Sequence, residues 1–123
     1  MPADRFTKSR KAAESRGRSS ETLAALLLRL KFYRILGRRV RTRAGEIDLV
    51  ARSPSGVLCF IEVKARAHDR AALESVGPRQ RSRIARAASL YVAGKPDLAR
   101  KGMRFDIVTM APLPRHIRDA WRP

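Results

Sequence analysis

Two acidic side chains stand where aliphatic ones would be expected. Asp48 lies between Ile47 and Leu49, and Glu62 between Ile61 and Val63, with Lys64 two residues further on. Successive side chains of a strand alternate between faces, so Glu46, Asp48 and Val50 fall on one side, as do Phe60, Glu62 and Lys64. If the two stretches form a hairpin with Asp48 opposite Glu62, then Glu46 faces Lys64, and Ile47, Leu49, Ile61 and Val63 make one apolar face. A slip of one residue would push charge among those aliphatics, at a cost of several kcal/mol. The hydrophobic pattern alone thus gathers carboxylates and one ammonium on a single patch.

Adjacent carboxylates repel each other, and burial raises their pKa values unless something positive intervenes. A divalent cation resolves the conflict, and carboxylate oxygens with water are the ligands Mg²⁺ or Mn²⁺ prefers. An ion held there acidifies water and stabilises charge on a phosphate, while an ammonium such as Lys64 orients the attacking water. Glu-x-Lys by itself also occurs as ordinary alternation on an exposed strand, where it signifies nothing. The matching Asp in the preceding apolar strand sets this case apart. The expected metal ligands are Asp48, Glu62 and Glu46.

The elements that must position these groups can be read from periodicity. Ser19 or Ser20 offers an N-cap and Glu21 a first-turn acid. Leu23, Leu27 and Leu30, with Leu26 alongside, predict a helix with one apolar stripe ending near Lys31. Strands are predicted over Phe32–Arg39, Glu46–Arg52, Val57–Lys64 and Met103–Met110. Ser53-Pro54-Ser55-Gly56 turns the central hairpin. Pro78 opens a helix to Ala93, stopped by Gly94 and Pro96. A short turn is expected at Ile117–Trp121. The order αβββαβ is an α/β fold with a small mixed β-sheet flanked by helices.

The chain has 123 residues, the size of one domain, with 28 Lys+Arg against 11 Asp+Glu and a net charge of +17. Such a charge calls for an anionic partner, and nucleic acid repays basic side chains by releasing its condensed counterions. Arg79, Arg83 and Arg86 share a helical stripe that suits a phosphate backbone, and Gln80 and Arg43 are expected to join that contact. Residues 1–18 read as a flexible basic arm, and residues 19–123 as a single domain. Cys59 is the single cysteine, so neither a disulfide within the chain nor a multi-cysteine zinc site is expected. No stretch reads as a membrane span or signal peptide, which leads to the expectation of a cytoplasmic protein without a membrane partner. A glycine-rich phosphate loop is absent, which argues against a nucleotide-driven motor.

Asp48, then about a dozen residues, then Glu62-Val63-Lys64 resembles the signature of the PD-(D/E)XK nuclease superfamily. Gly45-Glu46-Ile47-Asp48-Leu49, Glu62-Val63-Lys64, Arg104-Phe105-Asp106-Ile107-Val108 and the early Glu21 resemble, more closely, the YraN family of bacterial proteins, over roughly Gly17 to Trp121. The resemblance implies a restriction-endonuclease-like fold, similar to Holliday junction resolvases, and metal-dependent cleavage of nucleic acid, DNA above all. It implies catalytic roles for Asp48, Glu62 and Lys64, with Glu21 completing the site from the preceding helix. Relatives tend to carry a Lys near Arg79-Gln80-Arg81, where this chain has Gln80. Junction-cutting enzymes pair two active sites, so a homodimer is expected. A nucleic-acid-binding adaptor on the same fold, with an idle site, is the alternative. Asp106 reads equally as an outer partner of the site or as a charge on an edge strand, and His68 and His116 as solvated residues of a loop and the tail.

Overall fold

The structure, a computed structural model, describes residues 19–66 and 69–123. The arm expected over residues 1–18 and the loop residue His68 lie outside the described residues. Helix α1 covers residues 19–30. It is followed by β1 (Arg34–Thr42), β2 (Gly45–Arg52) and β3 (Leu58–Arg66), then by helices α2 (Asp69–Ser75) and α3 (Pro78–Ala93). A 3-10 turn at Pro96–Ala99 leads to β4 (Met103–Ala111) and β5 (Arg115–Trp121). The five strands form one mixed sheet in sequential order, parallel only between β3 and β4. That parallel pair requires the crossover through α2 and α3.

Each sheet face has its own core. Val50, Leu58, Phe60, Phe105 and Ile107 pack with Ala72 of α2, Val76 of the link after it, and Ile84 and Ala87 of α3. Leu49, Ala51, Cys59, Ile61 and Val108 pack with Ala24, Ala25 and Leu28 from α1. A small mixed sheet between helices, with its acidic hairpin next to the first helix, is the expected restriction-endonuclease-like architecture. No helix among the described residues is long and apolar enough to cross a membrane.

The central hairpin has the expected register: Leu49 pairs with Ile61, Val50 with Phe60 and Ala51 with Cys59. The backbone pairing stops there, short of Asp48 and Glu62. The Asp48 carboxylate accepts the Val63 N–H at 2.8 Å, taking the place of a backbone carbonyl and easing the strands apart. Ile47 does not continue the face of Leu49 and Ile61 but joins the α3 side with Val50. The alternation breaks where Arg39 takes a left-handed backbone (φ 49°), between the pairs Arg38–Leu49 and Val40–Ile47 and therefore opposite Asp48.

Three other expectations need correction. Ser19 and Ser20 already lie within the helix they were expected to cap, and the leucine stripe of α1 faces outward: Leu23, Leu26 and Leu30 are exposed. The buried side is Glu21, Ala24, Ala25 and Leu28. Small alanines let the helix settle close on a crowded sheet face, which outweighs the greater hydrophobicity of the leucines. The tail is a strand, β5, rather than a turn. Helix α2, to which the sequence pattern pointed nowhere, buries Ala72, and Val76 just after it is buried as well.

Candidate metal centre

The inward face of α1 delivers Glu21 to the sheet beside the point where β1 and β2 change alternation. Glu21, Glu46 and Asp48 each offer a carboxylate oxygen, and these oxygens lie within 4.8 Å of one another. Two elements therefore supply the carboxylates, α1 and β2, with Arg39 of β1 alongside. On its other side Asp48 shares a carboxyl–carboxylate hydrogen bond with Glu62. Lys64 Nζ stands 3.8 Å from Glu62 Oε1, and Gln80 of α3 donates to the same oxygen at 3.0 Å.

The turn between β1 and β2 is built to hold this corner. The Thr42 hydroxyl donates to the Gly45 carbonyl at 2.7 Å and accepts the Ala44 and Gly45 N–H groups. Gly45 has φ +142°, and a Cβ there would meet the Arg83 side chain at 3.0 Å. Only glycine lets Arg83 of α3 lie across the turn, where its charge also acts on Glu62.

The electrostatics are those of a site short of positive charge. Burial raises the Glu62 carboxyl to about 8, and the neighbouring Asp48 adds to the shift. Burial also raises Asp48, against the opposing pull of the Val63 N–H. Glu21 is raised by burial and then by Asp48, and its Oε2 has no hydrogen-bond partner among the described residues. The nearest compensation is Arg39, whose Nε is 3.8 Å from Glu21 and 3.3 Å from Glu46.

Every predicted site residue except the outlying arginines comes to this corner, but the grouping differs from the sequence reading. The three-oxygen cluster contains Glu21 rather than Glu62, which bridges from Asp48 to Lys64 and Gln80. Glu46 pairs with Arg39 and Arg41 rather than with Lys64. Arg43 sits in the β1–β2 turn, and Arg79, Arg83 and Arg86 are exposed along α3. Sequence reasoning missed Arg39, one of 28 basic residues and distinguished by no pattern. The donor set fits a hard divalent cation: carboxylate oxygens alone, crowded, and one of them without a hydrogen bond among the described residues.

Asp106 and His116 belong elsewhere. Asp106 is fully buried on β4, accepting from Arg104 at 2.9 Å, His116 at 2.7 Å and the Asp119 N–H at 3.0 Å. Lys31 Nζ lies 2.6 Å from His116 Nδ1. Since an ammonium only donates, the His116 Nε2 proton points to Asp106. His116 is therefore a buried structural residue, contrary to the solvated tail residue expected from sequence, and Asp106 is a network centre rather than an edge charge.

Fold and site together define a restriction-endonuclease-like domain with an acidic centre at its central hairpin. The model of Uncharacterised protein family UPF0102 matches residues 20–110, which span every residue of that centre. The chain belongs to this family, in agreement with the YraN resemblance. A UPF0102 protein of Maricaulis maris is 52% identical over 120 residues, covering 96% of this chain and 94% of that protein. One of Paramagnetospirillum magneticum is 50% identical over 122 residues, 94% of each chain. One of Agrobacterium fabrum is 46% identical over 123 residues, covering 98% of this chain and 100% of that one.

Proposed function

We propose that this protein is a divalent-metal-dependent nuclease that hydrolyses phosphodiester bonds in DNA, with branched or otherwise structured DNA as its substrate. The observation that carries the reading is the convergence of Glu21, Glu46 and Asp48 within 4.8 Å, beside a Glu62–Lys64 pair. Glu21, Glu46 and Asp48 hold Mg²⁺ or Mn²⁺, with Glu62 completing the set through Asp48. When bound, the cation supplies positive charge at the scissile phosphate and acidifies water there. Lys64 orients the attacking water, and Glu62, which adjoins Lys64 at 3.8 Å, is placed to take up its proton. Gln80 holds Glu62 in place, and Arg83 with Arg79 grips the flanking phosphates. A net charge of +17 supports binding to a polyanion.

The test is cleavage of linear duplex, single-stranded and four-way-junction DNA with Mg²⁺, with Mn²⁺ and with chelator. Metal-dependent cutting is expected, with a loss of at least about a hundredfold in Asp48→Asn. Cutting that persists in that variant or in chelator counts against the reading. One contact favours a second reading, the adaptor: Arg39 already neutralises part of the acidic cluster. Tight, salt-sensitive DNA binding without cutting under either metal would support it.

A further inference from the structure

Beside α3, away from the carboxylates, a cavity of about 830 Å³ lies between the helix, the β1–β2 turn and the chain end at Trp121–Pro123. We propose that it receives an unpaired nucleotide of the substrate, its base in the trough and its phosphate on the rim. The proposal rests on the nuclease reading above for the identity of the strand.

The walls divide by chemistry. Ala85, Leu90, Pro78 and Trp121 form an apolar trough, and Arg43 and Arg86 stand at its edge. Among the described residues neither of these arginines has an acidic partner, so their charge is available for a phosphate. Arg81, by contrast, is part of the frame. It donates to the Val76 and Leu73 carbonyls at 2.6 and 3.0 Å and lies 5.8 Å from the Trp121 ring. Trp121 is only 5% exposed, and its indole N–H has no hydrogen-bond partner among the described residues. Its ring is held as a wall of the trough by stacking on Phe105, with centroids 5.4 Å apart, and by Arg81.

The cavity is also joined to the acidic centre. Pro78, Ser82 and Arg86, at successive helical turns, line it together with a second hollow that includes Gln80. Gln80 donates to Glu62. A strand whose phosphodiester meets the carboxylates is thereby led along one side of α3 into the trough. The cavity is within the size range that encloses small ligands. A base stacked inside a duplex cannot enter it. The substrate must therefore present a free end, a flap or the unpaired centre of a junction.

Trp121 is the single tryptophan of the chain, so its fluorescence reports occupancy directly. The full chain is titrated in chelator with thymidine 5′-monophosphate, with thymidine and with inorganic phosphate. The monophosphate is expected to give a saturable change at concentrations about tenfold below those that either half requires. Ser89→Phe, an exposed position on the cavity wall, fills the trough and should abolish that change. In a parallel anisotropy measurement, duplex with a short single-stranded overhang should bind about tenfold more tightly than blunt duplex. Ser89→Phe should remove the difference without weakening blunt binding. Equal affinity of the wild type for the two duplexes overturns the proposal, as does inorganic phosphate matching the monophosphate. Neither measurement involves cleavage, so the two readings fail separately. Metal-dependent cutting with equal duplex affinities removes only the pocket, and overhang preference without cutting removes only the nuclease.

Discussion

Asp48 and Asp106 are the same residue type, each set between apolar neighbours in an interior strand of the same sheet, and the fold treats them in opposite ways. Burial alone would raise both. Around Asp106 the protein answers with His116, the Arg104 guanidinium and the Asp119 N–H, which together outweigh burial and hold the carboxyl below its usual range. Arg104 is bound in turn by the Tyr33 hydroxyl at 2.7 Å, so the network closes on itself. Around Asp48 the protein adds further acids instead. Glu21, Glu46 and Glu62 crowd it, and the carboxyls of Glu21, Asp48 and Glu62 all shift upward. An acid that serves the fold is given its counter-charges by the chain. An acid left wanting charge, in a chain with 28 basic residues to draw on, is where the proposed function puts a cation from outside.

The sharpest way to break this comparison is to neutralise each acid in turn. Asp106→Asn leaves Arg104 and His116 facing a weaker acceptor and should cost about 3–5 kcal/mol of stability in urea unfolding. Asp48→Asn keeps an oxygen for the Val63 N–H and relieves repulsion. Its stability should stay equal or rise by about 1 kcal/mol while cleavage is lost. If Asp48→Asn proves the more destabilised of the two, the acidic corner is structural and the contrast collapses.

Divalent ions should act on one region only. At tenfold excess over its dissociation constant, Mn²⁺ should stabilise the wild type by about 1.4 kcal/mol, seen as a rise in Tm of a few degrees. The rise should survive Asp106→Asn, measured against that variant's own baseline, and vanish in Asp48→Asn.

The pH dependence should have opposite signs in the two regions. Glu62 is raised from 4.5 to about 8, so in chelator the folded state holds a proton that the unfolded state releases across that window. Stability from this group therefore falls as pH climbs from 4.5 toward 8, and Glu62→Gln should flatten the slope. Asp106 is lowered from 3.8. Its contribution is complete above that value and is lost as pH drops through its folded pKa. Acid unfolding curves of Asp106→Asn should lack that loss. A wild type whose stability is flat from pH 4.5 to 8 without metal would contradict the shifts at the centre.

The parts of this contrast that could be read from the sequence are those written in long patterns. β2, β3, α3 and β4 carry clear apolar runs or helical spacing, and these were enough to give the Leu49–Ile61 register that brings Asp48 beside Glu62, although β2 changes face at Ile47. What stayed hidden depends on packing against distant segments. Glu21 faces the sheet because Ala24 and Ala25 permit close approach, whereas hydrophobicity alone points to the leucines opposite. β5 is diluted by Arg115, Arg118 and Asp119, and pairs because β4 offers an edge. At Asp119 the left-handed backbone (φ 53°) accompanies an N–H turned to Asp106. α2 has only 7 residues, too few for a period to emerge.

Arg39 and Arg104 refine the comparison at its smallest scale, since Arg104 pairs with Asp106 and Arg39 with Glu21 and Glu46 beside Asp48. Arg104 makes two hydrogen bonds of 2.9 Å to Asp106 with a side chain 18% exposed. Arg39 reaches Glu46 at 3.3 Å and Glu21 at 3.8 Å with a side chain 40% exposed. Tight, sheltered geometry makes the first pair strong, and water weakens the second. Arg104→Gln should therefore cost about 2–3 kcal/mol, and Arg39→Gln less than about 1 kcal/mol. The Arg39 variant has a further signature that a structural role would not produce. With the internal cation gone, the carboxylates should draw Mn²⁺ more strongly, so calorimetry should find tighter binding than in the wild type. Weaker binding would mean that Arg39 organises the ligands instead of standing in for the ion.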